Sequence, residues 1–540
     1  MRSSLFAVAL AAVTGATLLA ATPAASAVDV PSKYVNQQIA WKPCFNPVPA
    51  DYPPGSERLL CGSFTAPMDW NHPSVHPDIT IAVSKLAATG TAKGTVVVNP
   101  GGPGAPGRTL PLTFLDRTKL IGSEDIVGFD PRGTGASTNT TCGHIPAIDA
   151  DDHDRSPANL NVVLDSAQLY ADLCHRAGGE FQPFVNTEQT VNDVDLLRAL
   201  LGRDKINWIG YSGGTWMGAY YATYFPNRVD KVVLDSNTDF AAPWQKSFEL
   251  QPMAFQRRFD QDFAQWVAKY ESTFHLGATA AAVEQAYNRA RAAVAAKVIT
   301  VGNGDYDTST LDFVETSAMY NSRTFPMAAG LIAGINLVAA GQPVPADLPV
   351  PVWTDGPAPS DTGETAPDAE NASFWSIQCN DTPYRGTRQA LIAFSGVQAT
   401  KYPLVGYDSI YQPCLTWQRP ADLNLRKPTG RGVPPVLMLQ NQNDPATPYE
   451  GAVDAHNSFA NSRLLSVPGQ GNHGVYATNG NTCVDNTVES YIVDGVVPAH
   501  DLTCPAVPLP GPTSTPSKAD MAQLMARVQA AKELRGPLPL

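Results

Sequence analysis

The chain has 540 residues, 43% of them hydrophobic and 16% charged, which is ample for a large core and too little charge for a disordered polyelectrolyte. Its formal net charge of -13 comes without any Lys/Arg run, so a phosphate-binding stripe is excluded and no nucleic-acid partner is expected. One domain with a large insertion fits this length better than one ordinary domain.

The chain opens with Met1-Arg2, an apolar run over 5–21 and Ala25-Ser26-Ala27, the pattern of a secretory signal cut after Ala27. A retained anchor is the competing reading, because the basic start holds a single arginine. No later apolar stretch approaches the roughly 20 residues of a bilayer crossing. The mature protein is therefore expected to be extracellular, free of the membrane and monomeric. Eight cysteines suit an oxidising compartment, where an even number pairs. Connectivity does not follow from sequence; sequential pairing is the simplest choice, Cys44 with Cys61, Cys142 with Cys174, Cys379 with Cys414 and Cys483 with Cys504. Their spacings resemble no zinc module.

Short β-branched runs alternate with helical patterns in two separated blocks, the signature of a parallel sheet covered by helices. Strands of the first block are predicted over 79–86, 95–99, 125–129, 206–210 and 231–235. The strand at 95–99 opens into Pro100-Gly101-Gly102-Pro103-Gly104-Ala105-Pro106-Gly107. Glycines allow backbone N–H groups to approach a developing oxyanion unobstructed, so Gly101 or Gly102 is expected to supply one donor. A phosphate-cradling loop would need a Lys-Ser/Thr ending, which is missing. A rigid turn without further duty is the bland alternative. After 125–129 comes Asp130-Pro131-Arg132-Gly133, where an Asp130–Arg132 pair is expected to brace the glycine loop.

Gly210-Tyr211-Ser212-Gly213-Gly214 stands between the strand at 206–210 and a helical run over 215–225. In that setting G-x-S-x-G strains the serine backbone and presents its hydroxyl at the carboxyl end of the sheet, beside a helix N-terminus. The bland alternative is a serine that only caps the helix. The Gly213 N–H, just after the nucleophile, is expected as the second oxyanion donor. A serine hydroxyl is a weak nucleophile until a base takes its proton, so a histidine and an acid must follow.

From 237 to 432 the periodicity changes. Helices predicted around 248–270 and 278–297 give way to a Pro/Asp-rich stretch, 341–368, and the block reads as a largely helical cap inserted between strands. Strands resume at 436–440 and 463–467, with a helix at 449–459 between them. The first runs into Asn441-Gln442-Asn443-Asp444-Pro445 and the second into Gly471-Asn472-His473-Gly474. Asp444 and His473 are thus expected at the same rim as Ser212. Asp454 and Asp485 are rival acids, and His456 is the rival base, on a helix that should aim it away. The expected divisions are 1–27 signal, 28–236 first core part, 237–432 cap, 433–504 second core part and 505–540 tail. The tail is Pro-rich to 517 with a short helix over 518–534, either loosely docked or removed on maturation.

Taken together, these motifs resemble the secreted actinobacterial tripeptidyl aminopeptidases, serine peptidases related to proline iminopeptidases. The likeness rests on Cys61 with Pro67-Met68-Asp69-Trp70-Asn71-His72-Pro73, on the segments from Asn99 and from Phe129, on the turn at Ser212, on Asp444-Pro445-Ala446-Thr447-Pro448, and on Gly471 to Gly474 with Cys483 and Cys504. It spans 39–504. It departs at Gly214-Thr215-Trp216, since many relatives carry Tyr-Gly-Thr after the serine. The resemblance implies an α/β-hydrolase fold with a mostly parallel central sheet. It also implies release of short peptides from free N-termini of peptides or proteins, with proline preferred before the cleaved bond in some members and esterase activity in others. The expected chemistry is acyl transfer by Ser212, His473 and Asp444, with no metal or organic cofactor required. Glu249, Glu315 and Asp381 are candidates to hold a substrate ammonium. The alternatives are a carboxylesterase or lipase with the same triad, and a catalytically silent binding protein of the cell envelope.

Overall fold

A computed structural model describes residues 30–50, 52–144, 150–151, 153–352, 366–514, 516, 521 and 524. The expected signal at 1–27 lies outside the described residues, as does the expected tail helix apart from Met521 and Leu524. The strands in chain order are β1 (Lys42–Pro43), β2 (Leu59–Pro67), β3 (Asp78–Leu86), β4 (Gly94–Asn99), β5 (Glu124–Phe129), β6 (Ile206–Tyr211) and β7 (Val229–Asp235). They continue with β8 (Ile299–Val301), β9 (Gly304–Tyr306), β10 (Val436–Asn441), β11 (Ser462–Val467) and β12 (Leu502–Thr503). Ten of these form one sheet in the order β1-β2-β3-β5-β4-β6-β7-β10-β11-β12, while β8 and β9 make a separate hairpin. From β5 to β12 every neighbouring pair is parallel, and β1, β2 and β3 add an antiparallel edge. This is the expected α/β-hydrolase architecture.

The central strands read as unbroken apolar runs because both faces of the sheet are covered. Val97, Val127, Trp208, Val232 and Met438 pack into the core on one face. Their neighbours Val96, Val98, Ile126, Ile209, Val233 and Leu437 pack into a second core on the other. Strand β2 was not predicted. Its buried positions are Leu59 and Cys61, then Phe64, Ala66 and the terminal Pro67, so the period-2 alternation slips by one at Gly62-Ser63.

After β7 the chain leaves the sheet and returns at β10. The helix predicted around 248–270 is divided into Trp244–Glu249, Gln251–Arg258, a π-helical turn Phe259–Phe263 and Ala264–Lys269. Pro252 explains the first break, since it is tolerated only in a first helical turn. Together with Ala280–Ala296, Thr308–Met319 and Phe325–Ala339, these helices enclose a core of their own around Phe259, Phe263, Leu311 and Phe325. Leu524 of the tail is buried in that same core. The tail is fastened along the way, with the Val507 N–H donating to Gln470 Oε1 (3.0 Å) and Trp266 Nε1 donating to the Pro510 carbonyl (2.8 Å). The cysteines pair sequentially into four disulfides. No helix among the described residues is long and apolar enough to cross a membrane.

Candidate active site

Ser212 sits between β6 and the helix Gly213–Tyr224 with φ 54° and ψ -124°, a conformation that L residues rarely hold. Its N–H donates to the Asp235 carbonyl (2.9 Å), while its own carbonyl accepts from the Thr215 N–H (2.8 Å) and hydroxyl (2.6 Å). The Ser212 side chain makes no capping bond, so the helix-cap alternative does not apply. Ser212 lines a cleft of about 680 Å³ together with His473, Gly102 and, from the cap, Phe248, Tyr320 and Glu370.

Gly101 and Gly102 both have positive φ, and a Cβ on Gly101 would collide with the Tyr211 carbonyl oxygen and stand 2.6 Å from the Gly213 nitrogen. Only glycine permits this approach of the loop to the serine turn. Of the two alternatives for the loop donor, Gly101 has its N–H engaged by Asn99 Oδ1 at 3.0 Å. That leaves Gly102, which lines the cleft, and Gly213, whose N–H lacks an intrahelical acceptor because it begins the helix.

The expected Asp130–Arg132 pair does not form. Asp130 instead accepts from the N–H groups of Gly107 (2.9 Å), Arg108 (3.0 Å) and Ala136 (2.9 Å) and from Arg108 Nε (2.6 Å), which braces the far end of the glycine loop. Arg132 is fully buried and turns to Asp193, with two bonds of 2.7 Å. The pairing of neighbours in sequence gives way here because each charged group finds a fuller set of partners elsewhere.

Asp444 follows β10 and is fully buried. Its two oxygens each lie 3.0 Å from His473 Nδ1, and they also accept from the N–H groups of Ala446 and Thr447 and the Thr447 hydroxyl, all at 3.0 Å. The His473 N–H donates to the Tyr320 carbonyl (2.8 Å), and the two rings meet edge-on. Ser212 and His473 thus share the cleft, with Asp444 behind the imidazole, although no hydrogen bond joins Ser212 to His473 in this geometry. The rivals are occupied elsewhere: Asp454 with Lys246, Asp485 with Arg117, and His456 with Ser462 and Asp501.

Sequence reasoning missed Asp235, the last residue of β7. Its carboxylate accepts from the Val475 (2.9 Å) and Tyr476 (2.8 Å) N–H groups, and Ser236 Oγ accepts from Gly474 N–H (2.8 Å), so these two residues hold the turn after His473. Burial pushes the Asp235 carboxyl up to about 8, opposed by those backbone bonds and reinforced by nearby Asp444. The signal was present, since a carboxylate at a strand's carboxyl end resembles Asp444 in its setting. None of the three expected ammonium partners lines the cleft. Asp381 is buried against Thr187 and Trp244, Glu315 is enclosed in the cap without a hydrogen-bond partner, and Glu249 borders a smaller pocket beside the cleft. Among the described residues, the carboxylate that does line it is Glu370, in the first turn of the helix Ala369–Asp381.

Residues 402–504 match the family model described as TAP-like protein. Tripeptidyl aminopeptidase of Streptomyces lividans is 32% identical over 475 residues, covering 84% of this chain and 85% of the relative. Serine protease Hip1 of Mycobacterium tuberculosis is 27% identical over 509 residues, or 87% and 91% of the two chains. Carboxylesterase B of the same species is 29% identical over 518 residues, or 91% and 96%. By fold and by relationship, the chain belongs to the tripeptidyl aminopeptidase family and is a serine peptidase of the α/β-hydrolase type.

Proposed function

We propose that the protein is an exported exopeptidase that releases short peptides, tripeptides foremost, from free N-termini through an acyl-enzyme on Ser212. The observation that carries this reading is the strained Ser212 turn facing the same cleft as a His473 imidazole held at 3.0 Å by buried Asp444. Ser212 Oγ attacks the substrate carbonyl while His473 Nε2 takes its proton. Asp444 keeps the proton on Nδ1 and stabilises the imidazolium. The N–H groups of Gly102 and Gly213 receive the oxyanion. The imidazolium then protonates the leaving amine, and water repeats the sequence on the ester. An open serine–histidine contact is compatible with this role, because such bonds tighten when substrate binds.

Cap residues line the cleft, and the presence of Glu370 among them, with Arg323 on the same lining, supports a subsite for an α-ammonium. Four disulfides and the segment at 1–27 support export. The test compares a tripeptidyl p-nitroanilide with its N-acetylated form in the parent and in Glu370→Gln. The free amine should be preferred in the parent, and the substitution should raise KM for it about tenfold without affecting the acetylated substrate. Equal turnover of both substrates by the parent would contradict the aminopeptidase reading. A carboxylesterase is the second reading, favoured by the relative of that name. It requires p-nitrophenyl esters to be cleaved and all peptide anilides to be refused.

A further inference from the structure

Arg258, at the end of a cap helix, is fully buried and belongs to no part of the chemistry described so far. Its guanidinium pairs with Asp262 one turn on, and its carbon lies 4.8 Å over the Phe325 ring. The remaining donors are directed at the rim. Nη2 donates to Asn472 Oδ1 at 2.7 Å, and Asn472 is the residue before His473. Nε donates to the Met319 carbonyl at 3.2 Å, and the next carbonyl, that of Tyr320, accepts the His473 N–H at 2.8 Å. Asp262 in turn accepts from Asn443 Nδ2 at 3.0 Å, and Asn443 is the residue before Asp444. The loops are also joined directly, by Asn441 Nδ2 donating to the Asn472 carbonyl (2.6 Å). A Cβ on Gly471 would collide with the Arg258 guanidinium, which explains glycine at that place in the histidine loop.

We propose that the Arg258–Asp262 pair is a positioning device by which the cap sets the loop of His473 against the loop of Asp444; this rests on the triad reading above. A buried ion pair is costly to desolvate and is often replaceable by apolar side chains without loss of stability, so its stabilising value alone does not account for it. What apolar side chains do not reproduce is the planar fan of donors reaching Asn472, Met319 and Asp262 at once, and lysine does not reproduce it either. Misplacing the imidazole by a fraction of an ångström weakens proton delivery to a poor leaving group more than to a good one.

The experiment compares kcat and KM of the full-length mature protein on a tripeptidyl p-nitroanilide and on the matching p-nitrophenyl ester. The variants are Arg258→Met/Asp262→Leu, Arg258→Lys and Asn472→Ala. The double variant should unfold at the parent's temperature, lose on the order of tenfold to hundredfold in kcat on the anilide with KM unchanged, and lose much less on the ester. Arg258→Lys should not restore the anilide rate. Should the double variant fail to fold, Asn472→Ala, which removes the acceptor and leaves the ion pair, decides by the same split between substrates. Parent-like kcat on the anilide, or equal losses on anilide and ester, would overturn the proposal. Ser212→Ala is run in parallel: turnover by that variant means that the triad reading itself has failed, whereas an inert Ser212→Ala beside fully active Arg258 variants means that only the positioning role has.

Discussion

The sheet rim and the cap accommodate buried charge in different ways. At the rim, carboxylates are met largely by nearby backbone: Asp444 by the N–H groups of Ala446 and Thr447, Asp130 by those of Gly107, Arg108 and Ala136, and Asp235 by those of Val475 and Tyr476. In the cap, charged groups are met mainly by other side chains, as in Arg258 with Asp262 and Arg291 with Asp312 and the loop residue Asp151, while the buried Glu315 carboxyl makes no hydrogen bond. Backbone donors cost no side-chain entropy to hold in place, so the rim is preorganised at the positions where a reaction needs fixed geometry. The cap gains a core of its own but depends on long side chains remaining aligned.

The largest expected effect breaks the rim at its acid. Asp444→Asn should lower kcat on a peptide anilide by roughly 10⁴-fold, because an amide at that place favours the wrong imidazole tautomer. Circular dichroism and the melting temperature should be little changed, and a loss of activity accompanied by unfolding would mean that Asp444 is structural first.

That the two regions differ in kind also explains what could be read from sequence. The rim is encoded by contiguous motifs: Ser212 directly follows β6, and Asp444 and His473 stand on the short loops that leave β10 and β11, so local pattern placed the loops. The short apolar runs at 96–98, 208–209, 232–234 and 436–439 within β4, β6, β7 and β10 were equally legible, since burial on both faces favours apolar residues at successive positions. Side-chain pairings between distant segments were not. Nothing near Arg132 announces Asp193, 61 residues on, and nothing separates Glu370 from other acidic residues at helix starts. Strand β2 escaped notice because a slip in phase at Gly62-Ser63 looks the same as an absence of alternation. The Asn99 side chain took the Gly101 N–H through a contact two residues back, a local bond that spacing alone does not disclose.

A second substitution sharpens the contrast from the same side. Asp130→Asn replaces an acceptor of four hydrogen bonds by a group that must turn N–H against N–H, and it removes the ion pair with Arg108. It should cost about 3 kcal/mol in urea unfolding and lower kcat as well, because the glycine loop loses its brace. Unchanged kcat in a destabilised protein would separate that loop from catalysis.

The smallest effect tests the cap. Burial holds the Glu315 carboxyl well above its ordinary value, with Asp312 adding to the shift. A carboxyl raised in the folded state contributes stability that is fully present below its unfolded value, near 4.5, and is lost as pH rises toward the folded value. Glu315→Gln should therefore gain stability over the parent as pH rises above the unfolded value, with the gain vanishing below it. Melting curves above and below that value check it, and a gain independent of pH would show that Glu315 does not carry the charge penalty.

The most direct test of the account is to react the protein with a fluorophosphonate and map the adduct by peptide mass spectrometry. A single adduct on Ser212, absent from Ser212→Ala and much slowed in His473→Ala, is the predicted result. An adduct on another residue, or full peptide hydrolysis by Ser212→Ala, would contradict it.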